Sequence, residues 1–179
     1  MKSNPEHDCA RPECESVTGV GRENPNYITA HNDNSKLAIA ESGISRSLGV
    51  ATARLNDAIH DHVVTLAARN GSTTSPAVRY VHFANATARV IGLPKSDAEV
   101  VAAMPTEERA ALALIRAGVA ARIPRWAAEV EIEGGAKPHN RILGRAKVWA
   151  NLEVKALRAV GFEDVIAQAE ALLALKVTP

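Results

Sequence analysis

Six cations, Lys137, Arg141, Arg145, Lys147, Lys155 and Arg158, fall between Gly134 and Gly161. At about 100° per residue they share the side of a helix turned away from Ile142, Leu143, Ala146, Trp149, Ala150, Leu157 and Val160. Glu153 is the only acid in that helix, and it projects near the apolar stripe rather than among the cations. Neighbours such as Lys137–Arg141 and Arg141–Arg145 repel by a few tenths of a kcal/mol each. Such a face suits an anionic partner: an acidic protein surface, a phosphorylated ligand or nucleic-acid phosphates. The plainer alternative is neutralisation inside the fold by Glu129, Glu131, Glu133, Glu163, Asp164 or Glu170, because charged helix backs are ordinary.

A second polar group is His82, Asn85 and Arg89, spaced i, i+3 and i+7, which puts them in one stripe of a helix able to hold a small anion. With the loop from 134 to 145 it makes a small-anion-binding enzyme one reading of the chain. His60 and His62 are two residues apart, so on a helix they point about 160° from each other and cannot chelate one ion. His62 falls on an apolar seam and reads as a hydrogen-bonded core histidine. His7, Cys9 and Cys14 fall short of the four ligands of a structural zinc site. The chain has no carboxylate pair, Ser-His-Asp arrangement, Glu-x-x-His pair or Walker-type loop. Gly134-Gly135 ahead of Lys137 is only loosely phosphate-loop-like. No catalytic residue, metal or cofactor is therefore expected.

Residues 37–58 read LAIAESGISRSLGVATARLNDA, and the segment IAESGISRS resembles the first-helix-and-turn region of helix-turn-helix regulators. The resemblance covers about a dozen residues and implies a turn at Gly43, followed by a recognition helix that presents Ser45, Arg46 and Arg54 to DNA.

The elements that must position these groups are helices. From Ser35, the residues Leu37, Ala40, Ile44, Leu48, Ala51, Leu55, Ala58, His62 and Leu66 recur three or four apart, predicting a long helix that ends near Asn70-Gly71, with a break allowed at Gly43 or Gly49. Ser75-Pro76 opens a second helix with Ala77, Val78, Val81, Ala84, Ala88 and Ile91 as its apolar side, closed by Gly92 and Pro94. Ser96-x-x-Glu99 has capping-box spacing before a short helix to Met104. Thr106 opens the next, with Leu112, Ile115, Val119 and Ile123 on one face, and Pro124 ends or kinks it. Residues 125–133 read as helix and then loop. The two-faced helix inside 134–161 is the expected centre of the bundle, and Phe162 to Leu175 is the last helix.

Composition agrees with that class. Aromatic residues make up only 3% of a chain that is 46% hydrophobic, so Ala, Val, Leu and Ile must fill the core at short helix–helix distances. The expectation is an all-α, compact bundle of about six helices over residues 35–179, behind a disordered or loosely held tail at 1–34 that is poor in apolar residues. A net charge of +1 gives the whole molecule no strong field, so any attraction to nucleic acid is local, and no run approaches the roughly 18 apolar residues of a membrane span. Two cysteines, both in the tail, fit a cytoplasmic protein. The leading functional expectation is a non-catalytic bundle associating with an acidic protein surface or with itself.

Overall fold

The computed structural model describes residues 25–174, with side chains from residue 41 onward, Phe162 apart. The chain is all-α: α1 (Pro25–Ala58) continues through a π-helical segment (Ile59–Val64) into α2 (Thr65–Arg69), and α3 (Pro76–Arg89), α4 (Ala98–Ala102), α5 (Thr106–Glu133), α6 (Pro138–Ala159) and α7 (Phe162–Ala174) follow. Because α1, the π segment and α2 run on without a break, these are six rods, and no strand occurs among the described residues. Most of the expected tail lies outside the described residues, as do His7, Cys9 and Cys14, and the side chains of Leu37 and Ala40 do too; α1 begins at Pro25, ahead of Ser35. No helix among the described residues is long and apolar enough to cross a membrane.

The centre of the bundle is α5, not α6. It packs against α1, α3, α6 and α7, and its buried residues include Leu112, Ala113, Ile115, Val119, Ala120, Ile123, Ala127 and Val130. Five of these eight are alanine or valine, which lets the neighbouring rods come close. Pro124 neither ends α5 nor opens a loop at 125–133; it sits on the exposed side of the helix, so its ring stays out of the packed core. Gly118 is the second irregular choice in α5. A Cβ there would overlap the ring of Trp149, so the missing side chain is what lets α6 lay its indole across α5.

Two helix faces differ from the periodic reading. In α3, Val78 and Val81 are exposed by 41% and 54%, while Arg79, Phe83, Ala86, Thr87 and Ala88 are buried. Phe83 is the largest fully buried side chain of the molecule, and its contribution outweighs that of two valines, so the helix rolls toward it. In the first rod the buried line runs Leu55, Ile59, Val63, Ala67, with a constant step of four. The wide π turn holds that step on one line, and His62 consequently lies off the seam, half-buried and not a core histidine. On α6 the apolar stripe is as expected at Ile142, Leu143, Ala146, Ala150 and Leu157, with Val154 added, Trp149 half-buried and Val160 exposed at the helix end.

Candidate anion-binding site at the start of α6

Residues of α2, α3, α6 and the connecting loops enclose a polar pocket of about 460 Å³, lined by Asn70, Ser72, Thr74, Arg79, Lys137 and His139 among others, with no acid among the described residues of its wall. Three features of the chain build it. The π turn brings α2 round so that Ala67 and Asn70 face α6. The roll of α3 about Phe83 carries Arg79 inward, four residues before it. Finally, Lys137 adopts φ 56° and ψ 55°, the left-handed region that costs a side-chain-bearing residue roughly 1–2 kcal/mol, and this bend starts α6 at the pocket wall.

The start of α6 is electropositive and uncompensated. Its first turn holds no acid, no side chain caps it, and Pro138 removes one of the orphan N–H groups. Arg79, only 2% exposed, donates from Nη2 to Ser72 Oγ at 2.7 Å and to the Thr74 carbonyl at 3.3 Å, while its Nε has no partner among the described residues. A guanidinium removed from water with neutral partners keeps most of its charge uncancelled. His139, also buried, lies 3.1 Å through Nε2 from His82 Nδ1, and its Nδ1 is unpartnered among the described residues. Burial first, then Arg79 and His82, depresses its pKa to about 4, so it is neutral at pH 7. When His82 Nδ1–H donates to His139 Nε2, the proton of His139 sits on Nδ1 and makes it a donor.

The residues singled out in the sequence do not form one surface. Lys137 borders this pocket. Arg141 donates to Glu133 and to the Gly134 carbonyl, and Arg145 bridges Glu129 and Glu133, the latter at 2.6 Å. These two cations are neutralised within the fold by α5. Lys147 lines a neighbouring groove of about 240 Å³ with His82, Asn85, Arg89 and Asn140. There the expected stripe is assembled, but Asn85 Oδ1 accepts from the Ser96 N–H at 2.8 Å and Arg89 Nε donates to the Pro94 carbonyl at 3.1 Å, so both work partly for the fold. Lys155 is exposed, and Arg158 lies by Glu107 and Glu108 at the other end of α6.

The helix-turn-helix reading fails on geometry. The helix α1 runs unbroken through a buried Gly43, which faces Glu170 of α7, so no turn separates a first helix from a recognition helix. Ser45 accepts a hydrogen bond from Arg109 of α5 at 3.2 Å, Arg46 is exposed, and Arg54 is half-buried on the same continuous rod. Among the described residues no group of three or more His, Cys, Asp or Glu could hold a metal ion.

Comparison with known proteins finds no matching family model, no matching curated protein and no matching solved structure. What the chain binds is therefore argued from its own side chains.

Arg79 is a site residue that the sequence reading passed over. Its signal was its place one turn before Phe83, a cation within the bulkiest apolar face of α3.

Proposed function

We propose that the protein binds a small oxyanion, a sulfate- or phosphate-like group, between Arg79, Lys137 and the start of α6. The observation that carries this reading is Arg79, a buried guanidinium without a carboxylate partner among the described residues, lining a pocket whose described wall holds no acid. An anion there supplies the missing counter-charge and meets the positive end of a 22-residue helix. Calorimetric titration of the full chain with sulfate at constant ionic strength tests it. Saturable binding is expected, weakened about three- to tenfold by Lys137→Gly, which removes a charge and relaxes the left-handed backbone without loosening the fold. Absence of saturable heat, or a Lys137→Gly variant that binds as the wild type does, would sink the proposal.

Association through a helix face is a second reading, favoured by a different observation. Val148 and Leu152, exposed by 64% and 61%, lie beside Trp126 and Trp149 in an almost wholly apolar groove on α5 and α6, with Arg141 and Arg145 at its edge. Tryptophan and arginine are the residues that dominate interface energetics. Sedimentation over a concentration series is expected to show a dimer that Leu152→Glu dissociates; a wild-type monomer up to about 100 µM, a weak limit for a specific dimer, excludes self-association.

A further inference from the structure

On the opposite side of α3 from the α6 pocket, a groove of about 740 Å³ is walled by α1, α3, α4 and α5. Its floor carries Arg116, 4% exposed, whose Nη1 donates to Thr52 Oγ1 at 2.7 Å, Nη2 to Ser96 Oγ at 2.5 Å and Nε to Thr87 Oγ1 at 3.5 Å. Three hydroxyls thus take three of the five guanidinium N–H groups, and no carboxylate reaches it among the described residues. Burial lowers its pKa to about 10, which still leaves it charged at pH 7. Arg109 also lines the groove; it donates to Ser45 and Thr106, its Nε is unpartnered among the described residues, and its one carboxylate, on the exposed Glu41, stands 3.7 Å away. The remaining wall is mostly apolar, with Leu48, Val81, Ala84 and Val101, and no acid among the described residues lines it.

We propose that this groove binds an amphipathic organic anion, with a carboxylate head against Arg116, Arg109 adding to the positive potential of the wall, and an aliphatic tail along Leu48, Val81 and Val101. Arg109 stands two turns away from Arg116 on α5 and bonds Ser45 rather than Thr52. Among the described residues the groove thus offers one carboxylate-free cation, Arg116, with apolar carbon along much of the wall, which is complementary to a molecule with its single charge at one terminus. A fully apolar ligand leaves the Arg116 guanidinium uncompensated, and a small inorganic anion leaves the apolar wall wet. This site shares no lining residue with the α6 pocket, so it stands or falls separately from the oxyanion reading.

The test is calorimetric titration of the full chain, below the micelle concentration, with decanoate, decyltrimethylammonium and decanol in parallel. Decanoate is expected to bind one molecule per chain and to outlast an excess of sulfate, while the cationic and neutral analogues bind about tenfold more weakly or not at all. Arg116 helps to hold α5 against α3, so its replacement reports on folding as well as binding. The informative variants are therefore Arg109→Gln, which keeps hydrogen-bonding groups but loses the charge, and Val81→Glu at a position already 54% exposed. Each is expected to lower decanoate affinity about tenfold while the circular dichroism spectrum is retained. Equal affinity for decanoate and decyltrimethylammonium, affinity in both variants within about twofold of wild type, displacement of decanoate by sulfate, or no saturable binding would each overturn the assignment.

Discussion

Arg79 and Arg116 are the two buried arginines of the described chain, and the partners of both are hydroxyls or carbonyls instead of carboxylates. Hydrogen bonds to neutral groups keep such a side chain in place, but they leave a positive potential that an incoming anion lowers. His139 adds a proton-linked component beside Arg79. Its folded pKa of about 4 lies below the unfolded value near 6.5, so between those values the unfolded chain holds more protons. Stability from this residue is therefore fully present above about pH 6.5 and is lost as pH falls toward about 4. Denaturation midpoints are expected to drop between about pH 7.5 and about pH 5 in the wild type, with a shallower drop in His139→Gln. Equal slopes in the two proteins would show that carboxylates alone set the acid limit. Bound sulfate favours the protonated imidazole, so it is expected to tighten over the same interval.

At the scale of the element, α5 and α6 are joined along one edge by charge. Arg125 and Arg145 hold Glu129, Arg141 and Arg145 hold Glu133, and Arg69 of α2 reaches Glu131 at 3.3 Å. Arg125 first, and Arg145 with it, keep the Glu129 carboxyl below its usual pKa. Reversing both Arg141 and Arg145 to Glu is accordingly expected to lower the melting temperature, since it breaks these pairs and faces acids with acids. An unchanged melting temperature would mean that the network is idle in solution. The basic side of α6 and its possible acids were both legible in the sequence; which acids they meet was not, because Glu129, Glu131 and Glu133 had been read as belonging partly to a loop after Pro124. Local propensity treats proline as a stop, whereas the burial of Ile123, Ala127 and Val130 on the opposite side of α5 holds it helical through Pro124. The helix starts at Pro76, Thr106 and Pro138 and the end near Asn70-Gly71 were written locally and stand where expected. The face of α3 was not, since periodicity counts apolar positions while packing weighs their volume.

Across the whole molecule, acids and bases are nearly equal in number, 20 against 21, yet they are not equally placed. Glu129, Glu131 and Glu133, three of the glutamates that pair, are on α5, and among the described residues no acid lines either cavity with buried arginine. A near-neutral net charge therefore conceals two inward-facing positive sites, which is why composition alone pointed to no ligand. The arrangement hangs on chain length in one place. The π turn at Ile59–Val64 takes up about one residue more than an α-helical turn of the same span. A chain one residue shorter there would form a regular helix just as readily, but everything after it would be rotated by about 100°. Leu66 and Ala67 would leave the core, and Asn70 would turn away from Arg79 and Lys137. The width of a single turn in the first rod thus sets the bearing of a wall of a pocket built mainly by the third and sixth helices.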